Sequence, residues 1–274
     1  MLVAGVDLGS ATGKAVILKD GDVVGTHLAP SNAHPVETAK SVMARALEEA
    51  GLDSIDHIES IITTGYGRLK VPFASENISE ITCHAKGAQW SLPSVRTVID
   101  IGGQDCKVIN VTPKGMVGEF QMNDRCAAGT GRFFEGIARG LGCGLEGISD
   151  LANQGEEPCT ISNQCSVFAE SEVVTLVNEG MELRNIISGV NLSVAKRLKA
   201  MVRRIGVVED VAMTGGCSKN DGLSKALEEL LGVEIKRLPF DPQLNGALGA
   251  ALMAQERLAA RQQAEQTGMA ESAK

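Results

Sequence analysis

The sequence predicts an α/β protein of two related domains, each a mixed sheet flanked by helices, facing one another across a cleft. Three observations carry that expectation. A strand–turn–strand unit opening on Asp-apolar-Gly occurs twice, as Val6-Asp7-Leu8-Gly9 and Ile99-Asp100-Ile101-Gly102. Segments of strand character alternate with segments whose apolar residues recur at helical spacing. A third glycine-rich loop, Thr214-Gly215-Gly216, follows a late strand. Repetition of a whole supersecondary unit is the mark of domains of common design, and interleaved strands and helices place the chain in the α/β class.

The elements follow in order. Residues 2–8 read as a buried strand with a glycine–serine turn after it, and residues 14–19 return as a second strand ending in the tight turn Asp20-Gly21-Asp22. Residues 23–28 form the third. From Pro35 to Ala50 the apolar positions keep helical spacing, and Gly51 supplies a C-terminal stop. Residues 58–63 are a further buried strand, followed by the glycine-bracketed loop Thr64-Gly65-Tyr66-Gly67-Arg68. The pattern then restarts: a strand over 97–101, the turn Gly102-Gly103-Gln104-Asp105, a strand over 106–111 and a turn at Thr112-Pro113-Lys114-Gly115. Several helices are expected between residues 129 and 204, a strand over 208–213, and a last helix starting near Leu244-Asn245-Gly246. The final stretch, rich in Ala, Gln and Glu without an apolar period, predicts a fraying helix and a tail. The expected boundaries are a first domain of residues 1–93 plus 246–262, a second of 94–245, and a flexible tail over 263–274.

Composition narrows the function. A net charge of -8, with no basic block to offset it, argues against a nucleic-acid binder. No stretch approaches the ~20 apolar residues of a membrane span, and Met1-Leu2-Val3-Ala4-Gly5-Val6 is too short for a secretory leader. Seven widely spaced cysteines, an odd number, suit reduced thiols or metal ligation better than a disulfide framework. A cytoplasmic protein is the expectation.

The two repeated loops have the chemistry of phosphate binding. Asp7 ends a strand, Gly9, Ser10 and Ala11 form a small-residue turn, and Lys14 lies on the returning strand. Phosphate oxygens need close approach of backbone N–H groups, a lysine neutralises their charge, and an aspartate can hold hydrated Mg²⁺. Asp100, Gly102, Gly103, Gln104 and Asp105 repeat that pattern, and Gly215-Gly216, with Lys219 and Asn220 behind, adds a third loop. An ordinary hairpin would explain either of the first two loops alone; three together point to a nucleotide. No Walker-type loop is present. Gln104 and Asp105 are the candidates for positioning a hydrolytic water.

Two cysteines stand directly before helix-like runs: Cys126 opens Cys126-Ala-Ala-Gly-Thr-Gly-Arg-Phe-Phe, and Cys165 opens Cys165-Ser-Val-Phe-Ala-Glu-Ser-Glu-Val. Sulfur at a helix start faces unpaired N–H groups and the positive end of the dipole, a setting that favours an anionic cluster. Two such thiolates are half of a four-thiolate site, which a symmetric dimer would complete. Read without the surrounding motifs, both are better explained as buried structural thiols. Cys83, Cys106, Cys143, Cys159 and Cys217 have no partner at chelating spacing and are read as non-ligands. His27, His34 and His57 are expected in or near turns, solvated, and His84 is expected to be packed. Glu170 and Glu172 read as acidic residues complementing the dipole of the helix that Cys165 opens.

The order of the three loops resembles the actin, hexokinase and Hsp70-type ATPase superfamily. Between them, the blocks from Asn123-Asp124-Arg125-Cys126 to Gly129-Thr130-Gly131-Arg132-Phe133 and from Ser162-Asn163-Gln164-Cys165 to Glu172 resemble one branch. That is the BadF/BadG/BcrA/BcrD-type family, which contains activators of 2-hydroxyacyl-CoA dehydratases and ATPase subunits of benzoyl-CoA reductases. Thr64-Gly65-Tyr66-Gly67-Arg68 and Ser79-Glu80-Ile81-Thr82-Cys83-His84-Ala85 extend the likeness over residues 3–255. Ser162-Asn163-Gln164 departs from the Ser-Ser-Thr the family leads one to expect, without touching the cysteine.

The resemblance implies a two-domain fold closing on ATP in the cleft, with Gly129, Thr130, Gly131 and Arg132 among the cofactor-binding residues. It implies that Cys126 and Cys165 hold one [4Fe–4S] cluster bridging a homodimer. It further implies ATP- and Mg²⁺-dependent delivery of electrons, from ferredoxin or flavodoxin, to a dehydratase or related reductase with iron–sulfur clusters of its own. An ATPase subunit of a benzoyl-CoA reductase and a small-molecule kinase of the same superfamily are the alternatives.

Overall fold

Two five-stranded sheets organise the chain, and both are wound the same way. The structure is a computed structural model and describes residues 1–123, 127–162 and 165–272. The chain divides into two units, Met1–Trp90 with Leu244–Lys274, and Ser91–Gln243.

In the first unit β1 (Leu2–Leu8), β2 (Thr12–Lys19) and β3 (Asp22–Pro30) form an antiparallel meander. Its second turn places Asp20 at φ 53 and Gly21 at φ 98, both in the left-handed region that a two-residue hairpin matching strand twist requires. The chain then forms α1 (Pro35–Glu49), which starts on a proline and buries Thr38, Ala39, Val42, Met43, Ala46 and Leu47 as one stripe. Gly51, at φ 68, ends it. β4 (Ser60–Thr64) pairs parallel to β1, β5 (Glu76–Asn77) pairs parallel to β4, and α2 (Glu80–Ser91) follows.

The second unit repeats the plan. β6 (Thr97–Ile101), β7 (Cys106–Val111) and β8 (Val117–Asn123) are the antiparallel meander. Four helices come next: α3 (Gly131–Leu141), α4 (Leu145–Ala152), α5 (Ser166–Asn178) and α6 (Leu183–Ile205). β9 (Val211–Thr214) then pairs parallel to β6, α7 (Asp221–Leu231) follows, and β10 (Ile235–Lys236) pairs parallel to β9. The strand orders β3-β2-β1-β4-β5 and β10-β9-β6-β7-β8 are one order read from opposite ends. The last helix, α8 (Asn245–Ser272), belongs to the first unit.

Each unit has its own core. Val6, Ile17, Val42, Met43 and Ile61 fill the first between sheet and α1. On the other face α8 approaches so closely that a side chain at Gly5 would strike the Ala247 carbonyl, and one at Gly249 would strike that of Cys83. Ile99, Val108, Phe133, Ile137, Ile187, Val190, Leu198, Val211 and Leu227 fill the second.

Three expectations shift, and one strand was not expected. The strand expected over 58–63 begins at Ser60, because residues 55–57 form a 3-10 turn in which the Ser54 side chain accepts from Asp56 N–H. The strand expected over 208–213 begins at Val211, because the Thr97 hydroxyl takes both backbone groups of Val208. His27 lies within β3 opposite Ala15, not in a turn. The strand β8 was missed: Gly118, Glu119 and Phe120 are exposed, so the edge strand lacks an apolar alternation.

Candidate functional site

Each sheet carries the same polar device. In the first, Asp7 on β1 stands directly opposite Lys14 on β2 and beside Thr64 on β4. In the second, Asp100 on β6 stands directly opposite Lys107 on β7 and beside Thr214 on β9. Both lysines follow their aspartate by the same interval, and both threonines precede a glycine with positive φ, Gly65 at 83 and Gly215 at 81. Those glycines are obligatory: a side chain at Gly65 would strike Asp7 Oδ1, and one at Gly215 the carbonyl of Ile101.

The ion pairs are short and enclosed. Lys14 Nζ lies 3.1 Å from Asp7 Oδ2. Lys107 Nζ lies 3.2 Å from Asp100 Oδ2 and 2.7 Å from Asp105 Oδ2. The Thr214 hydroxyl donates to Asp100 Oδ1 at 2.7 Å. Thr64 Oγ1, in the same position beside Asp7, is buried without a hydrogen bond to that carboxylate. Buried charge of this kind is tolerated only when paired.

The turns after the aspartates are also alike. Gly9 N–H donates to the Thr12 carbonyl at 3.0 Å, and Gly102 N–H to that of Asp105 at 3.0 Å. Ser31 braces the first turn, its hydroxyl donating to the Gly9 carbonyl and its N–H to the Ala11 carbonyl, both at 2.9 Å. A Cβ at Gly9 would stand 3.1 Å from Lys14 Nζ, so the ammonium sits at the mouth of the Gly9-Ser10-Ala11 turn. In the second unit the start of α3 docks on the loop: Gly131 N–H donates to the Gly102 carbonyl at 2.8 Å and Arg132 N–H to that of Gly103 at 2.9 Å. Gly129, at φ 88, and the wholly buried Thr130 make the approach to that helix.

The structure thus brings Asp7, Gly9 and Lys14 together in one unit, and Asp100, Gly102, Gly103, Asp105, Gly131, Arg132 and Gly215 together in the other. Gln104 is exposed at the tip of the second turn. Lys219 is ion-paired with Asp241 at 3.0 Å. Asn220, read from sequence as a nucleotide residue, spends its side chain on the fold: its oxygen caps α7 by accepting from Leu223 N–H, and its amide donates to Asn191. Sequence reasoning missed Lys107, Thr64 and Thr214, although the repeated interval from Asp7 to Lys14 pointed to Lys107. It also missed Gly246 at the start of α8, where a Cβ would stand 2.9 Å from Asp7 Oδ2. His84 is buried against Asn245, the packed position expected for it.

The cysteines separate by environment. Burial pushes the Cys83 and Cys217 thiols up to about 12 and that of Cys106 up to about 11, and Cys159 is raised by the same cause. Cys165 differs: it is the N-cap residue of α5, in extended conformation, with its side chain making no cap hydrogen bond and its surface half-buried. Val167, Phe168 and Val174 on that helix are 67%, 66% and 52% exposed, an apolar face without cover among the described residues. Glu172 is turned to the preceding segment, accepting from Ser162 N–H at 2.5 Å. Cys126, the other predicted cluster ligand, lies outside the described residues.

Two mixed sheets of one design, with matched loops after their first strands, define an actin/hexokinase-like two-domain ATPase fold. A ROK family glucokinase from Streptomyces griseus shares it at TM-score 0.56 and 13% identity, over 93% of this chain and 100% of that one. The model of the BadF/BadG/BcrA/BcrD ATPase family matches residues 4–254, and the chain belongs to that family. It is 46% identical, over 93% of its length and 98% of the relative's, to the activator of lactoyl-CoA dehydratase from Anaerotignum propionicum. The structure of the activator of the 2-hydroxyisocaproyl-CoA dehydratase from Clostridium difficile with bound ADPNP superposes at TM-score 0.91, with 39% identity over 96% of this chain and 97% of that one. A benzoyl-CoA reductase component of Thauera aromatica is 34% identical over 92% of each chain. The protein is an ATPase. Among the described residues no helix is long and apolar enough to cross a membrane.

Proposed function

We propose that this ATPase is the activator of a 2-hydroxyacyl-CoA dehydratase, passing low-potential electrons through a [4Fe–4S] cluster that two copies of the chain share. The observation that carries the reading is Cys165. Its sulfur stands at the N-terminus of α5 with no cap bond to occupy it, beside an exposed apolar face suited to a second copy of the chain. The N–H groups and the positive dipole end at such a terminus suit an anionic group, so the site fits a cluster ligand. Cys126 supplies the second thiolate of each chain. When bound, the cluster provides one-electron transfer at low potential.

Each of the two loops is suited to the phosphates of ATP. Asp7 and Asp100 would each suit hydrated Mg²⁺, the Ser10, Ala11 and Gly103 N–H groups would suit phosphate oxygens, and Lys14 would neutralise their charge. Gln104, exposed in the second turn, orients the attacking water. The start of α3 is hydrogen-bonded to the second loop, and Cys126 precedes α3 by a few residues. A change in that loop on hydrolysis is thereby coupled to a cysteine. The dehydratase partner follows from relatives named as activators of such enzymes. Ferredoxin or flavodoxin is the donor class, and the soluble cytoplasm the setting.

Cys165→Ser and Cys126→Ser test the reading. Each is expected to abolish bound iron while leaving ADP binding within about threefold of wild type. Full iron content in either variant would overturn the ligand assignment. The relative from benzoyl-CoA reductase supports a second reading, a permanent subunit of such a complex. Purification free of any partner, with ATP hydrolysis intact, favours the activator.

A further inference from the structure

We infer that Lys107 is a positioning residue for ATP hydrolysis, and that Asp105 acts by holding Lys107 rather than by steering water. This rests on the reading that the second loop meets ATP. The two copies of the device differ around the lysine. In the first unit Lys14 meets a single carboxylate, Asp7, and the residue two before it is Thr12. In the second unit the residue two before the lysine is Asp105, and Lys107 Nζ lies between two carboxylates, 2.7 Å from Asp105 Oδ2 and 3.2 Å from Asp100 Oδ2. Lys107 is 1% exposed, whereas Lys14 stands at the mouth of its turn.

The consequences fall on Asp100. Its Oδ2 is fixed by Lys107 and its Oδ1 by the Thr214 hydroxyl at 2.7 Å. Asp7 has a lysine on Oδ2 too, but Thr64 Oγ1, in the place of Thr214, makes no hydrogen bond to it. Asp100 is therefore the more rigidly oriented carboxylate, and Lys107 is one of the two groups that orient it. Asp105 supports the lysine and closes the turn at once: its carbonyl accepts from Gly102 N–H at 3.0 Å, and its Oδ1 lies 2.7 Å from where a Cβ at Gly102 would be. A carboxylate whose charge is taken up by a buried ammonium 2.7 Å away is a poor acceptor for a proton from water. Exposed Gln104, next to Asp105 in the turn, is free of that constraint.

The test compares D105N, D105A, K107M and D100A in the full-length protein by steady-state ATP hydrolysis, with ADP binding measured alongside. D105N keeps a polar oxygen of the same size beside the Lys107 ammonium, whereas D105A removes it. We expect D105N to lose less than fivefold in kcat, and D105A and K107M to lose more than twentyfold with KM changed less than threefold, the signature of an interaction realised in the transition state. A loss in D105N as large as in D105A would overturn the inference, because the carboxylate itself would then be required. So would a K107M protein within threefold of wild type, or one whose KM rises at unchanged kcat. If K107M does not fold, D105N/K107M, which restores the native local charge, takes its place under the same thresholds. D100A marks the underlying reading separately: full hydrolysis in that variant would remove the loop from the ATP site altogether.

Discussion

At the residue scale the account rests on a few buried charges and one sulfur. Removing Asp7 or Asp100 takes away the proposed cation ligand, leaving Lys14 without its carboxylate partner or Lys107 with Asp105 alone. D7A and D100A are expected to lower kcat for ATP at least 100-fold while the iron content holds. Iron analysis and a phosphate-release assay read the two effects separately, and turnover within twofold of wild type would remove that aspartate from the site. Much of this was legible. Asp7 and Asp100 end strands whose apolar runs are plain, and small residues follow them, so the loops announce themselves. Lys107 was not singled out because it sits inside the apolar run Cys106–Val111, where a lysine looks like a solvated position on an edge; its 1% exposure depends on Asp105 and Asp100 being folded around it. Thr64 and Thr214 gain meaning only from parallel pairing with distant strands, which no local pattern encodes. Asn220 has a structural role that is hidden for the same reason: a polar residue after a Gly-Gly loop does not announce the helix it caps.

Helices and strands make their own predictions. α5 buries only Ala169 and Val173 while exposing Val167, Phe168, Val174 and Val177, an inversion that a helix serving its own core would not show. V174E is expected to convert a dimer into a monomer with unchanged far-UV circular dichroism, as read by light scattering; a dimer that persists at micromolar concentration would separate this face from self-association. α8 packs through glycine. A methyl at Gly249 would collide with the Cys83 carbonyl on α2, so G249A is expected to cost at least about 1–3 kcal/mol by the usual penalty of overpacking, measured by guanidinium unfolding. Sequence patterns showed α1 and the meander of β1 to β3 because each combines a clear period with a turn signal. They missed β8 because an edge strand with exposed residues has no buried face to print an alternation. The cysteine before α5 was legible as a helix start; that its side chain makes no cap bond is a fact of the fold.

On the scale of the whole molecule, duplication is the organising fact. The recurrence of Asp-apolar-Gly hinted at it, and the matched strand orders display it in full. The sequence likeness between the halves is slight because the shared elements are strands, whose apolar residues interchange freely, whereas the helices that follow differ in number. Global stability should carry a signature of the enclosed thiols. Unfolded cysteine loses its proton near pH 8.5, while Cys83, Cys106 and Cys217 hold theirs until about 12, 11 and 12. The folded state binds the extra protons in that window, so stability is full below the unfolded value and falls as pH rises through it. From pH 8 to 10 each thiol is expected to contribute a loss of about 2 kcal/mol. Guanidinium unfolding at both pH values should show a smaller loss in C217A than in wild type; equal losses would contradict the assignment.

The central claim is that two chains share one cluster through Cys126 and Cys165. Two thiolates per chain are half of the four that a [4Fe–4S] cluster takes, and an isologous interface joins the halves. Anaerobic iron and sulfide analysis, paired with light scattering on the same sample, tests this most directly. The account predicts a dimer with about four irons and about four sulfides per pair of chains, falling apart into monomers as oxidation and chelation strip the iron. A monomer carrying a full cluster, or an anaerobically isolated active dimer with no iron, would contradict it.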